Sequence, residues 1–281
     1  MPFHREGVQT NRDAFCIAEE REALIERLAA FAEGEDRDWP GRAGVSSRHY
    51  DPRRARSALS AAFERDEPGV ERIAYRPHDP RWVCVERAVC HRSRPALRAA
   101  MLRSEGAVLT VRKDRGEREW AHFGFSRHVV DNCFLSSRSS CRTRAFPTHG
   151  ADGALNLDPA AAREWLGFDF DAALLWRFVL CVLASPRYRT RYDASLRADY
   201  PRIPPAPSPE ALRACAAAGE RLASAFARPS PGDGSAPVIV GHRTLHCAAL
   251  TDAVRGCQEA ITTCEVLPPA TEAGPPYPQG D

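Results

Sequence analysis

The feature that most constrains how this chain can fold is an apolar run from Leu174 to Ala184, which is followed by Ser185-Pro186. Every residue of the run except Arg177 is apolar, and a helix that is apolar on all sides must be buried. Proline lacks an amide hydrogen and disfavours helical geometry in the residue before it, so we predict that this helix ends at Ser185. The rest of the chain has to be organised around one buried helix.

The segment after this helix is an arginine–tyrosine ladder, which runs from Arg187 to Tyr192 and leaves through the proline-rich residues 200–205. On its own, a cationic and aromatic turn suggests a surface that binds an anion. Its attachment to a buried helix and to a rigid exit favours a bracing role instead. The residues predicted to be structural are Tyr75, Ser185, Pro186, Tyr188, Arg189, Tyr192, Pro201 and Arg202.

The charge distribution places the anion-binding role in the middle third of the chain. Residues 72–150 carry 16 lysines and arginines against 7 aspartates and glutamates, whereas the net charge of the whole chain is +2. A basic segment between two mildly acidic flanks favours a polyanionic partner, although a solvated arginine-rich surface is the alternative. Because Lys113 is the only lysine, the abundance of arginine carries little weight and only its clustering counts.

The hydrophobic periodicities predict an α+β fold, in which a mixed, strand-rich central domain is flanked by helices. Asp158 and Ser208, each followed by proline, mark the starts of two helices. The other predicted helices cover about residues 14–33, 58–63 and 94–103, and the predicted strands lie within 70–87, 106–113, 118–126 and 128–136. Residues 229–281 are rich in proline and glycine and are predicted to be a disordered tail.

The sequence lacks the familiar catalytic motifs. It contains no phosphate loop, no HExxH zinc motif, no GxSxG elbow and no Asn-Pro-Pro-aromatic tetrad. Asp169 and Asp171 are better explained as the acidic start of a helix than as a catalytic pair. His242, His246 and Cys247 could ligate a metal, but they fall in the segment predicted to be disordered, so no metal site and no catalytic residue is predicted.

Cysteine usage and the absence of targeting segments indicate a cytoplasmic chain. The ten cysteines form no CxxC pair and the polar N-terminus is not a secretory signal, so free and mostly buried thiols are expected. The most apolar stretch, residues 166–184, is too short and too charged to cross a membrane.

Nucleic-acid binding is the chemistry that remains. Arginine forks match phosphates and guanine edges, and tyrosine and tryptophan provide stacking faces. These residues alone leave open whether the ligand would be DNA or RNA. The predicted contacts are Arg76, Arg81, Arg112, Lys113, Arg115, Arg138, Arg142 and Arg144.

Three motifs resemble the C-terminal part of type ISP restriction–modification enzymes, which are single polypeptides with nuclease, translocase, adenine methyltransferase and target-recognition parts. They are GVQTNRDAF at 7–15, YRPHDPRW at 75–82 and LASPRYRTRYDASLRADYPRIP at 183–204. The third motif is the longest and the most specific. The sequence departs from the family pattern at His78 and Tyr200, where the family usually has phenylalanine, and the resemblance covers about residues 5–228.

The resemblance implies a sequence-specific duplex DNA recognition module, which gives specificity to an N6-adenine DNA methyltransferase in a restriction–modification system of phage defence. Residues 67–228 would be the target-recognition domain. Residues 1–66 would be a helical segment that joins to a methyltransferase part absent from this chain. Its joint is expected at Thr10, Asn11, Arg12 and Asp13.

The resemblance also implies partners and a cofactor. The partners would be duplex DNA and a polypeptide carrying the methyltransferase, translocase and nuclease, with no membrane. No cofactor is expected in this chain, and S-adenosylmethionine is expected in the associated methyltransferase. Whether the chain is itself an enzyme stays open. The alternatives are a complete DNA methyltransferase or nuclease with unrecognised motifs, or a truncated, non-functional remnant.

Overall fold

The computed structural model describes residues 1–34, 50–116, 118–138, 141–228 and 235–267, and its fold is α+β, as predicted. The helices in these ranges are α1 (Asp13–Cys16), α2 (Arg21–Glu33), α3 (Pro52–Glu64), α4 (Pro95–Leu102), α5 (Pro159–Leu166), α6 (Ala172–Ala184), α7 (Pro186–Arg191), α8 (Asp193–Ala198), α9 (Pro209–Ala227) and α10 (Ala248–Thr263). The strands are β1 (Arg5–Glu6), β2 (Ile17–Ala18), β3 (Val70–Arg76), β4 (Asp79–Cys84), β5 (Ala107–Thr110), β6 (Gly124–Ser126), β7 (Val129–Val130), β8 (Arg144–Pro147), β9 (Pro237–Val240) and β10 (Arg243–His246).

Two four-stranded sheets and one hairpin make up the β structure. The first sheet has the order β1-β8-β5-β6 and is antiparallel throughout. The second has the order β2-β4-β3-β7, in which only the β3–β7 pair is parallel. The N-terminal segment supplies a strand to each sheet, so the domain boundary predicted at residue 66 does not coincide with a break in the sheets.

The buried helix predicted from the apolar run is α6, and its end at Ser185 is confirmed. It packs against α9, α10 and the strands β5 and β6, so that its apolar surface is covered from several directions. Arg177, the charged residue of the run, reaches the edge of this core and pairs with Glu220 at 2.5 Å and Glu105 at 3.1 Å. The pairing explains how a cation is tolerated in an otherwise apolar helix.

Side-chain caps set the helix starts that the sequence predicted. The Asp158 carboxylate accepts hydrogen bonds from the amides of Ala160 and Ala161, at 2.9 and 3.2 Å. The Ser208 hydroxyl accepts one from the Ala211 amide at 3.1 Å. Both helices begin with proline, which has no amide hydrogen to leave unsatisfied.

The arginine–tyrosine ladder lies largely inside the fold. Ser185 caps α7, which begins at Pro186, and its hydroxyl donates to Gln258 at 2.8 Å. Tyr188 is fully buried, and its hydroxyl donates to the carbonyl of Arg202 at 2.7 Å in the exit segment that also contains Pro201. The remaining ladder contacts also fix it: the Tyr188 and Tyr192 ring centroids are 5.2 Å apart, and Arg189 lies over Phe123 and 3.5 Å from Glu119.

Several predicted boundaries are wrong in detail. The helix expected over 14–33 is divided into α1, the strand β2 and α2. The strands expected over 118–126 and 128–136 shrink to β6 and β7, and β8 was not predicted. These strands are two to four residues long, so pairing with distant strands decides them rather than local pattern.

The prediction of disorder after residue 228 is wrong for residues 235–267. These residues form the β9–β10 hairpin and α10, and α10 packs on α6 and α9. Apolar side chains spaced along α10, such as Leu250, Cys257 and Ile261, are buried there. The proline and glycine content of the neighbouring residues hid this pattern. Residues 229–234 and 268–281 lie outside the described residues.

Most of the cysteines are buried thiols, as the sequence predicted. Eight of the ten cysteines are buried, two are partly buried and all ten are free thiols. In the part of the chain that the structure describes, no helix is both long enough and apolar enough to cross a membrane.

Candidate nucleic-acid interface

The turn between β3 and β4 holds two of the predicted DNA contacts in internal ion pairs. Arg76 pairs with Asp131 at 2.7 Å, and both side chains are largely buried. Arg81 pairs with Asp79 at 2.8 Å. Both guanidinium groups lie over the Tyr75 ring, at 3.7 and 4.7 Å from its centroid. The two arginines therefore stiffen this turn, and their charges are already balanced.

The carboxyl of Asp131, which pairs with Arg76, has a raised pKa. Burial raises the pKa of Asp131 to about 6, although Arg76 and the Cys133 amide act to lower it. Because this folded pKa exceeds the unfolded value of about 3.9, the folded state binds the proton more tightly. Ionisation of Asp131 should therefore reduce the free energy of unfolding as the pH rises from about 4 to about 6.

We expect the carboxyl carbon of Asp131 to titrate with a midpoint near pH 6 in an NMR experiment, with Asp131→Asn identifying the resonance. A midpoint close to 4 would contradict the desolvated pair.

Glu6 of β1 gathers three arginines into a surface cluster. Its carboxylate contacts Arg144 at 3.0 Å and Arg94 at 2.7 Å, and Arg92 lies at 4.0 Å. One carboxylate facing three guanidinium groups leaves a local excess of positive charge. The Arg144–Glu6 ion pair holds β8 against β1. Arg144 can also contact an anion from solvent, because its side chain is partly exposed.

Arg142 and Arg112 differ in exposure. Arg142 is half-buried and donates to the Cys133 sulfur at 3.0 Å. Arg112 is exposed, and its ion pair with Asp199 at 3.2 Å joins two side chains that are each about 60% solvent-accessible, at 62% and 59%. An exposed pair of this kind is weak, so Arg112 is available to another anion at little cost.

The remaining predicted contacts, Lys113, Arg115 and Arg138, form an exposed group that we term the basic rim. Lys113 and Arg115 follow β5 on either side of the buried Asp114. Arg138 precedes β8. Its guanidinium lies beside Gly116 in the β5–β6 loop, 3.1 Å from the position that a Cβ atom on Gly116 would occupy. Across the described ranges none of the three forms an ion pair, so the rim presents uncompensated positive charge.

Directly beneath the basic rim lies a buried group of potential metal ligands, Asp114, His122, Cys141 and His242. In the sequence, His242 lies close to two other potential metal ligands, His246 and Cys247. The structure separates that set, because the exposed His246 bonds the Ser235 carbonyl at 2.9 Å and Cys247 is buried at the start of α10. Sequence reasoning missed Asp114, His122 and Cys141, whose spacing matches no zinc motif.

A second basic surface is a groove of about 320 Å³ beside the β3–β4 turn. Its charged and titratable lining comprises Arg72, Arg76, His78, Asp79, Arg127 and His128. Burial lowers the pKa of His128, and Arg72 and Arg127 lower it further. The excess of basic residues in 72–150 indicated positive charge in this part of the chain. It could not indicate that these particular residues line one groove.

The residues expected at a domain joint are partly interior. Thr10 and Arg12 are buried, and Arg12 donates to the Val89 carbonyl at 2.8 Å. Asn11 and Asp13 are exposed, and Asp13 accepts a hydrogen bond from the Tyr75 hydroxyl at 2.9 Å. The turn is fastened to this chain's own sheet, and its role as a joint stays a prediction.

Comparison with known proteins gives one family match. The family model described as the type ISP C-terminal specificity domain matches residues 1–228. No curated protein matches the sequence.

Solved structures with a similar fold include three protein–DNA complexes. The cryoEM structure of the DrdV–DNA complex has a TM-score of 0.58 at 17% identity, over 84% of this chain and 24% of that one. The ATP-dependent type ISP restriction–modification enzyme LlaBIII bound to DNA has a TM-score of 0.53 at 12% identity, over 79% and 15%. A nuclease-deletion mutant of the type ISP enzyme LlaGI with a DNA substrate mimic has 0.50 at 18% identity, over 80% and 22%.

At these identities the likeness concerns the fold alone. The chain spans a quarter or less of the length of each of these structures.

Proposed function

The chain belongs to the family of type ISP C-terminal specificity domains and is a DNA target-recognition module of a restriction–modification system. We propose that it reads duplex DNA through the basic rim and the loops around it. The recognised sequence would direct an N6-adenine methyltransferase that uses S-adenosylmethionine, together with translocase and nuclease parts. Those activities would reside in the associated polypeptide.

The observation that carries this proposal is the uncompensated charge of the basic rim. Lys113, Arg115 and Arg138 are exposed on two adjacent loops beside the buried Asp114, while the other predicted cations are engaged by carboxylates or a sulfur. Guanidinium and ammonium groups without a carboxylate partner bind phosphates and would position the protein on the backbone of a duplex.

Sequence reading would be a separate task from phosphate binding. Base edges are distinguished in the major groove, where arginine pairs with guanine through two hydrogen bonds. The groove lined by Arg72 and Arg127 lies outside the basic rim and offers guanidinium donors beside the β3–β4 turn. We assign base readout to the neighbourhood of this groove and backbone contact to the rim.

Selection from a pool of random duplexes tests the proposed function. The full chain is immobilised, and bound duplexes are amplified and sequenced over successive rounds. Enrichment of one short sequence, with affinity that falls as salt rises, is the expected result. Retention of the random composition after several rounds would contradict target recognition.

A parallel incubation with labelled S-adenosylmethionine and the same duplexes distinguishes a recognition module from an enzyme. No label should be transferred by this chain alone. Methylated DNA would instead establish a complete methyltransferase and refute the division of labour proposed here.

A further inference from the structure

The buried group beneath the basic rim has the composition of a metal centre. Asp114, His122, Cys141 and His242 supply one ligand atom each, and these atoms all lie within 4.8 Å of one another. Three of the side chains are almost completely buried, and the His242 side chain is 18% exposed. The four come from three loops, since Asp114 and His122 share the β5–β6 connection, and the fold brings these loops together. The group is therefore a product of the tertiary structure.

Asp114 is at the centre of the group. Its Oδ2 lies 3.0 Å from His122 Nε2, and its Oδ1 lies 3.0 Å from Cys141 Sγ and 3.6 Å from His242 Nε2. Donors bound to one tetrahedral zinc ion are about 3.3 to 3.6 Å apart at normal bond lengths. The separations to Asp114 are close to that range, and small side-chain rotations would close the wider ones.

His242 is oriented as a metal ligand is. The Ser136 hydroxyl lies 2.6 Å from His242 Nδ1 and holds the ring so that Nε2 points into the group. This is the outer hydrogen bond that fixes a ligand's tautomer and direction. Within the described chain His242 Nε2 is buried and makes no hydrogen bond, which is an unfavourable state for a buried nitrogen unless something else binds it.

The four donors carry a charge that a divalent cation neutralises. A carboxylate, a thiolate and two neutral imidazoles have a net charge of −2, which one Zn²⁺ ion cancels. The Arg197 guanidinium lies beside the group, 3.7 Å from Asp114 Oδ2, and adds one positive charge at its edge. The donor set combines soft sulfur with imidazole nitrogen, and this combination selects zinc over the oxygen-preferring magnesium and calcium ions.

We propose that Asp114, His122, Cys141 and His242 bind one zinc ion in a closed, four-coordinate structural site. The ion would fasten the turn between β9 and β10 to the loops that carry Lys113, Arg115 and Arg138. Residues 235–267 lie beyond the region matched by the family model, so the site would join this C-terminal extension to the recognition domain. The proposal does not depend on DNA binding.

Metal analysis of the full chain tests the site directly. After reconstitution with zinc and removal of loosely bound metal, elemental analysis should find one zinc per chain. Cobalt(II) in place of zinc should give a thiolate-to-cobalt charge-transfer band and the visible absorption of tetrahedral coordination. A folded chain that retains no zinc and gives no such band would overturn the proposal.

Variants separate this site from other ligands. Cys141→Ser should abolish the charge-transfer band, while Cys133→Ser, a partly buried cysteine near the same loop, should retain it. His242→Ala should lose zinc, whereas the exposed His246→Ala should not. Ser136→Ala should keep the stoichiometry but weaken zinc binding roughly 10- to 100-fold.

Equal zinc content and an unchanged cobalt spectrum in Cys141→Ser and His242→Ala would place any bound metal elsewhere and refute the assignment. The cobalt titration of the unmodified chain stays decisive if one of these variants fails to fold.

Discussion

Replacement of Lys113, Arg115 and Arg138 together by glutamine is expected to weaken the binding of duplex DNA roughly 100-fold at about 0.15 M salt. Each phosphate contact releases condensed counterions and contributes roughly 0.9 to the slope of log affinity against log salt concentration. At that salt concentration the release term corresponds to roughly 0.7 decades per contact, and three contacts sum to about two decades. The slope should also fall by about 3.

A charge-matched control isolates the position of these cations from their number. Arg163, Arg213 and Arg255 are exposed arginines on the helices α5, α9 and α10, each close to an acidic partner: Asp169, Glu210 and Asp252. Their replacement by glutamine changes the net charge by the same amount. It should leave the affinity within about threefold, because surface ion pairs of this kind contribute little.

Fluorescence anisotropy with one labelled duplex, repeated across a salt series, measures both quantities. If the two triple variants lost affinity equally, general charge attraction would explain the binding and the basic rim would have no special role. If the rim variant kept the slope of the unmodified chain, the phosphate contacts would have to lie elsewhere.

The sequence predicted the parts of the fold that depend on neighbouring residues. Asp158 and Ser208 cap helices through their own following amides, and the apolar content of 174–184 requires burial in any context. Strands such as β1 and β7 are two residues long. They exist because a distant strand pairs with them, and no local pattern contains that information.

The candidate interface shows the same division between local and distant information. A count of charges located the basic middle third, but it could not tell which arginines are engaged. The carboxylates that engage Arg144 and Arg112 are Glu6 and Asp199, more than 80 residues away in the sequence. Cations that have no carboxylate partner in the described part of the chain, such as Lys113, could be identified only once the fold had placed these acids.

The ligand group beneath the basic rim is the extreme case. Asp114 and His122 are eight residues apart, but His242 is 106 residues from its partner Ser136. Metal ligands recognised from sequence usually lie in short, regular spacings, and this group has none. The prediction of a disordered tail also removed His242 from consideration, so one error about order concealed the ligand group.

A single added methyl group at Gly219 is expected to destabilise the protein by about 3 kcal/mol, through overpacking of the buried helix pair. Gly219 lies on α9 where it crosses α6, and a Cβ atom there would be 2.0 Å from the backbone carbonyl oxygen of Arg177. A backbone atom cannot rotate away as a side chain can. The helices would have to separate, and the apolar contacts of α6 would loosen along with them.

Gly256→Ala is the matched control, because it makes the same substitution in another helix of the same core. Its Cβ would meet only the flexible side chain of Arg221, at 3.4 Å. Alanine is a better helix former than glycine by up to about 1 kcal/mol, so this variant should be as stable as the parent or more stable.

Thermal unfolding followed by circular dichroism distinguishes the two variants. Gly219→Ala should lower the Tm by roughly 6 to 12 °C for a domain of this size, while Gly256→Ala should raise it slightly or leave it unchanged. Equal midpoints would mean that α6 and α9 do not approach closely at Gly219. In that case the close packing of α9 on the buried helix would be wrong.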